Sequence, residues 1–178
     1  GVLEKTGIDL SGESGGVFFD KSLVVNTEKY GTASLTSASF GQTFKLTPLQ
    51  LVRAISAVVN GGYLLEPYIV SEILDADGNT VMKAEPTVTR QTISKETSDT
   101  MRELIRSVVT EGTAKNASVA GFSIGGKTGT SEKIDVFDEN GNRVLDKIVS
   151  FVGVAPMDNP QYIVLVALDT PSRQTGMY

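Results

Sequence analysis

The residues best suited to chemistry are Lys127, Thr128, Gly129 and Thr130, within the run Gly125-Gly126-Lys127-Thr128-Gly129-Thr130-Ser131. On an extended strand alternate side chains share a face, so Lys127 and Gly129 face one way and Thr128 and Thr130 the other. An ammonium and two hydroxyls at this spacing can hold a carboxylate, and a backbone N–H beside them can face a developing oxyanion. Gly129 has no side chain, so a ligand backbone can approach the strand closely. A Gly-rich edge strand with a solvated lysine would use the same residue types. A phosphate-cradling loop does not fit, because the upstream glycine is misplaced and no helix follows.

Composition narrows the chemistry further. The chain contains no His and no Cys. A Ser-His-Asp triad, a Cys-His dyad, a zinc finger and a structural disulfide are therefore excluded within it. Catalysis must run on Lys, Ser, Thr, Tyr or carboxylates, and no metal or cofactor is expected. The 21 acidic residues outnumber the 16 basic ones, for a net charge of −5, which argues against nucleic-acid binding by phosphate neutralisation. With 40% hydrophobic residues over 178 positions, the chain can build a sizeable core as one domain or part of a larger one. It has no signal-like start and no apolar run of about 18 residues. Any membrane attachment is expected outside these residues. The lack of Cys suits an extracytoplasmic protein.

The elements that must position the lysine run can be read from pattern. Residues 1–43 are Gly- and Ser-rich and read as mostly loop. Thr47 is a good N-cap and Pro48 a good first residue for a helix that Asn60-Gly61-Gly62 stops. That helix is apolar on nearly every face and should be buried on most sides. An extended stretch from Leu64 to Leu74, the turn Asp75-Ala76-Asp77-Gly78-Asn79 and Thr80-Val81-Met82 read as a hairpin. Thr87 to Ile93 reads as a short strand. Ser94 caps a second helix from Lys95 to Thr110, with Met101, Leu104, Ile105 and Val108 as its apolar stripe. Ser123 to Ser131 is extended, and residues 133–148 form a polar hairpin around Asn140-Gly141. The acidic stretch Asp135 to Asp146 is a solvated loop. Ile148 to Ala155 and Tyr162 to Leu168 are apolar strands that should be covered on both faces. Two helices are too few to cover such a sheet, so part of the fold is expected to lie outside the chain.

Several segments, in order, resemble the transpeptidase domain of class B penicillin-binding proteins, the D,D-transpeptidases of the cell-division and sporulation type. Gly1 to Glu13 looks like the segment after that family's second active-site motif. Ser39-Phe40-Gly41-Gln42, Leu46-Thr47-Pro48-Leu49-Gln50, Asn60-Gly61-Gly62 and Glu66-Pro67 resemble its most recognisable helix and flanks. Val108 to Ala114 is similar to another signature, and Lys127-Thr128-Gly129-Thr130 occupies the third motif. The resemblance implies an α+β fold, an antiparallel sheet flanked by helices as in the penicillin-binding protein and serine β-lactamase fold, incomplete here. It also implies what the chain lacks. The Ser-x-x-Lys nucleophile motif and the Ser-x-Asn motif should precede Gly1, and a C-terminal helix should follow Tyr178. Residues 1–178 are then the C-terminal part of one transpeptidase domain, inactive alone.

The resemblance assigns the reaction as peptidoglycan cross-linking through a serine acyl-enzyme, with stem peptides and β-lactam antibiotics as ligands. In that scheme Lys127 and Thr130 are catalytic, and Thr128, Gly129, Thr130 and Ser131 bind substrate, Ser131 peripherally. Phe40-Gly41-Gln42 would support the floor of the active site, and Arg53 and Glu66 would serve structure. The parent protein would be extracytoplasmic, anchored through an N-terminal segment, with cell-division or elongation proteins as partners. The chain by itself should expose apolar surface and self-associate. A β-lactam-sensing receptor or an inactive penicillin-binding domain is the alternative, and a serine β-lactamase shares the Lys-Thr-Gly motif.

Overall fold

The computed structural model describes residues 4–18, 32–42, 44–133, 136–144 and 146–172. Gly1, Gly31, Thr43, Asp135 and residues 175–178 of the sequence reading lie outside them. The chain divides into two compact units, Gly1–Ser98 and Asp99–Tyr178.

In the first unit, residues 4–18 are mostly loop, as expected, but the loop is fastened. The Glu13 carboxylate accepts the N–H of Thr6 at 2.6 Å and of Gly7 at 3.3 Å, and its bonding to Thr6 holds it below the usual carboxylate pKa. Asp9 accepts the N–H groups of Ile69 at 2.8 Å and Val70 at 2.9 Å, and these bonds, Val70 first, depress its pKa as well. Gln50 Nε2 donates to the Glu4 carbonyl at 2.9 Å. The loop reading fails at α1, Ala33–Ser39. Its Ser and Thr hydroxyls bond back to carbonyls of their own helix, as Thr36 does to Thr32 at 2.9 Å and Ser37 to Ala33 at 2.8 Å. The hydroxyls are thereby satisfied inside the helix, at a small cost to it, and not in turns.

Helix α2 spans Pro48–Val59. Thr47 Oγ1 accepts the Gln50 N–H at 3.2 Å while Gln50 Oε1 accepts the Thr47 N–H at 3.0 Å, a complete capping box. Asn60 ends the helix, and Gly61 and Gly62 follow with φ of 95° each. Of its residues Gln50, Ala57 and Val59 are buried. Only Pro48 and Ala54 are exposed and the remaining residues are half-buried, so burial reaches around the helix but is complete at few positions. Strand β1, Tyr63–Leu65, pairs antiparallel with β4, Val88–Gln91. Arg53 locks this pair to α2, with Nε donating to the Leu65 carbonyl at 2.6 Å and a terminal nitrogen to Thr89 Oγ1 at 3.0 Å. The stretch from Leu64 to Leu74 is not one strand. Its second end is β2, Glu72–Leu74, which forms a hairpin with β3, Thr80–Lys83. That turn is organised by Asp75, whose Oδ1 accepts the N–H groups of Asp77 at 2.9 Å and Asn79 at 2.8 Å.

Helix α3, Lys95–Thr110, begins in the first unit and gives most of its length to the second. Ser94 Oγ accepts the Thr97 N–H at 3.2 Å. Ser98 is fully buried and donates to the Val58 carbonyl at 2.7 Å. The expected apolar stripe is displaced around the helix: Leu104 is 54% exposed, whereas Val109 is buried.

The second unit is built on an antiparallel sheet ordered β5-β6-β7, from Gly125–Glu132, Lys147–Ala155 and Tyr162–Asp169. The polar excursion between β5 and β6 folds as expected, with Phe137 bridged to Arg143 and Gly141 at φ 79°. One sheet face carries Val152 and Val154, both buried, with Met157 tucked beside them. Helix α3 lies against this face, since a Cβ on Gly125 would sit 2.5 Å from Met157 Sδ and 3.1 Å from the Arg106 nitrogen. The opposite face is different. Phe151, Val164, Val166 and Leu168 share it by register, and Val164, Val166 and Leu168 are more than half exposed. Among the described residues nothing covers β7 there, and the chain by itself exposes apolar surface on this face, as expected when part of the cover lies outside it. No helix among the described residues is long and apolar enough to cross a membrane.

Candidate functional site

Strand β5 is the edge of its sheet, paired with β6 on one side and with no strand on the other among the described residues. Lys127 pairs with Val152, Thr128 with Phe151, Gly129 with Ser150 and Thr130 with Val149. The Lys133 N–H continues the ladder by donating to the Asp146 carbonyl at 2.8 Å. In an antiparallel ladder, hydrogen-bonded and non-hydrogen-bonded pairs alternate. The phase set at Lys133 turns the backbone groups of odd-numbered β5 residues toward β6. Those of Thr128 and Thr130 therefore point to the open edge.

The side chains at that edge are accessible. Lys127, Thr130 and Ser131 are exposed, and Thr128 and Gly129 half-buried. Lys127 Nζ reaches the outward Thr128 carbonyl at 2.9 Å. No carboxylate pairs with it among the described residues. The next lysine behaves otherwise: Lys133 is ion-paired with Asp169 and also donates to Thr170 Oγ1 at 3.0 Å. Lys133 holds the Asp169 carboxyl below its usual range. The strand thus carries an available lysine, and the residue directly after the strand is a lysine engaged in an ion pair.

Close packing fixes the strand just before the motif. A Cβ on Gly126 would come within 2.4 Å of the Val152 carbonyl oxygen and 2.5 Å of Phe151 Cζ. The Phe151 ring also lies under Gly153, where a Cβ would be 3.0 Å from Cε1. Gly125 and Gly126 let helix and ring close on the strand. Gly129 differs, because a Cβ there would meet only the movable Ser150 Oγ, at 2.7 Å. The sheet alone does not demand glycine at 129.

One neighbour of the motif carries no role in the sequence pattern. Thr113 Oγ1 lies 3.4 Å from Thr128 Oγ1. Thr113 stands in the turn that ends α3, held by Glu111 N–H to the Ser107 carbonyl at 2.8 Å and Ala114 N–H to the Val108 carbonyl at 3.0 Å. Gly112 makes the turn possible, since a Cβ would sit 2.8 Å from Val108 Cα. The Gly-Thr pair after a helix was the available signal, but sequence spacing alone does not bring it to the strand. Phe40, expected to support the site floor, belongs to the first unit and is 67% exposed there.

The arrangement offers a cation, two hydroxyls and outward backbone donors along one open strand edge. That suits an extended peptide ending in a carboxylate. Comparisons with known proteins identify the family. The family profile described as the penicillin binding protein transpeptidase domain matches residues 1–178. Stage V sporulation protein D of Bacillus subtilis is 44% identical over 174 residues, covering 96% of the chain and 25% of that protein. A peptidoglycan D,D-transpeptidase FtsI homolog of Mesostigma viride is 29% identical over 165 residues, covering 85% of the chain and 27% of that protein. The crystal structure of penicillin binding protein 3 from Mycobacterium tuberculosis, complexed with aztreonam, superposes with a TM-score of 0.81 at 28% identity, covering 97% of the chain and 38% of that structure. The chain therefore spans about a quarter of the length of these curated relatives.

Proposed function

From the premise that the chain belongs to the penicillin binding protein transpeptidase domain family, we propose that it is the C-terminal part of the catalytic domain of a peptidoglycan D,D-transpeptidase. The reaction is acyl transfer. A serine hydroxyl from outside residues 1–178 attacks the D-Ala-D-Ala amide of a stem peptide. The C–N bond breaks and D-Ala leaves with a proton. An amine of a neighbouring stem peptide then takes the acyl group and frees the serine. β-Lactams enter as mimics of the donor and stop at the acyl-enzyme.

In this reading β5 is the donor-binding rail. Lys127 supplies positive charge to the terminal carboxylate and to the incoming serine machinery. The Thr128 and Thr130 hydroxyls donate to the carboxylate, with Ser131 at the periphery. The Thr130 N–H forms half of the oxyanion hole, and such a donor typically contributes about 3–4 kcal/mol in the transition state. Gly129 leaves room for the donor backbone to lie alongside the strand. The observation that carries the reading is the phase of the β5 ladder, which turns the Thr130 N–H to the open edge beside the exposed Lys127. The whole protein works outside the cytoplasm, anchored by a segment preceding these residues, with division or elongation proteins as partners. The chain alone self-associates through the uncovered face of β7.

The test is labelling with a fluorescent penicillin. The parent protein should take a covalent adduct, mapped by mass spectrometry to a serine outside the 178 residues. The isolated chain should take none. An adduct on a serine inside the chain, or no adduct on the parent, contradicts the reading.

A further inference from the structure

We propose that Thr113 is a positioning residue for carboxylate recognition, acting through the hydroxyl of Thr128. The inference rests on the donor-binding role given above to β5 and extends it to a residue outside the strand. The argument is a count of protons. A threonine hydroxyl has one O–H to donate and lone pairs to accept with. A carboxylate only accepts, so Thr128 must spend its single proton on it. The contact between Thr113 and Thr128 then runs in one direction, from the Thr113 O–H to Thr128 Oγ1. Accepting this bond fixes the Thr128 rotor toward the ligand and polarises its O–H.

The geometry around Thr113 suits the task. The Glu111-Gly112-Thr113-Ala114 turn is tied to the last turn of α3 by backbone bonds, and Ala114 is buried at 4% exposure. Gly112 packs too closely on Val108 to accept a side chain. Thr113 is thus delivered to the strand by a rigid support, while its own side chain is exposed and holds no core together. The 3.4 Å separation is long for a hydroxyl pair, so the effect of removing it is that of one weak neutral hydrogen bond.

The experiment uses the full-length parent protein and compares acylation by a penicillin with acylation by the methyl ester of the same penicillin, which has no carboxylate. Thr113→Val keeps the shape and deletes the hydroxyl. It should slow acylation by the acid about fivefold and leave acylation by the ester within about twofold. Thr113→Ser should restore the acid rate. In a Thr128→Val background, Thr113→Val should add almost nothing, because the two hydroxyls act as a unit. Equal slowing with acid and ester, full additivity with Thr128→Val, or no rescue by serine would overturn the role of Thr113 alone. A wild-type parent that is not acylated at all would instead overturn the proposed function, and this inference with it.

Discussion

Replacing Lys127 with alanine in the parent protein is expected to slow acylation by penicillin about 100- to 1,000-fold. Thermal stability should change by less than about 0.5 kcal/mol. The two halves of this expectation have separate physical origins. The side chain is exposed, and its hydrogen bond is to the carbonyl of the adjacent residue, so the fold loses little when it is removed. The ligand, by contrast, loses the one cation at the middle of the open strand edge. Lys133 cannot substitute, because it is engaged with Asp169 and Thr170. Time courses of acylation and thermal unfolding of the same preparation check both halves. A rate within twofold of wild type removes Lys127 from the chemistry. A large loss of stability would assign it to the fold instead.

Alanine at Gly126 is expected to have the opposite profile. Its Cβ would lie 2.4 Å from a backbone oxygen of β6 and 2.5 Å from the Phe151 ring. Neither neighbour can yield without disturbing the β5–β6 ladder. A loss of about 3 kcal/mol or more is expected, at the upper end for overpacking. Acylation should fall with it, since the motif follows directly on the displaced residue. Gly129→Ala separates the two effects, because Ser150 Oγ can rotate away from the new methyl group. Its stability should stay within about 1 kcal/mol of wild type while donor binding weakens. Denaturant unfolding and acylation rates of the two variants provide the comparison. Equal stability losses at 126 and 129 would show that the glycine at 129 serves the sheet, not the ligand.

Much of this was legible in the sequence, for reasons that differ by element. Helix α2 declared itself through a local device, Thr47 with Gln50 three residues on, which needs no tertiary context. Strands β6 and β7 declared themselves by apolar runs of strand length between turn residues. Lys127 to Thr130 was legible as a motif, and the likeness to a known family placed it in a domain. Helix α1 was not, because Ser and Thr favour caps and turns over helix interiors, and local composition alone reads as loop. The division of the stretch from Leu64 to Leu74 was missed because β1 pairs with a distant strand, β4, and local pattern is blind to that choice. The displaced stripe of α3 has a similar cause: the close approach of β5 at Arg106 sets which face is buried. Thr113 was out of reach for the same reason, since its meaning comes from lying beside Thr128 in space.

The most direct measurement is a crystal structure of the parent protein acylated by a penicillin. The account expects the antibiotic's carboxylate within about 3 Å of the Thr128 and Thr130 hydroxyls. The acyl oxygen should sit at the Thr130 N–H, and the covalent bond should join a serine outside this chain. An acyl-enzyme whose carboxylate is bound elsewhere, with the edge of β5 turned away from the ligand, would contradict it.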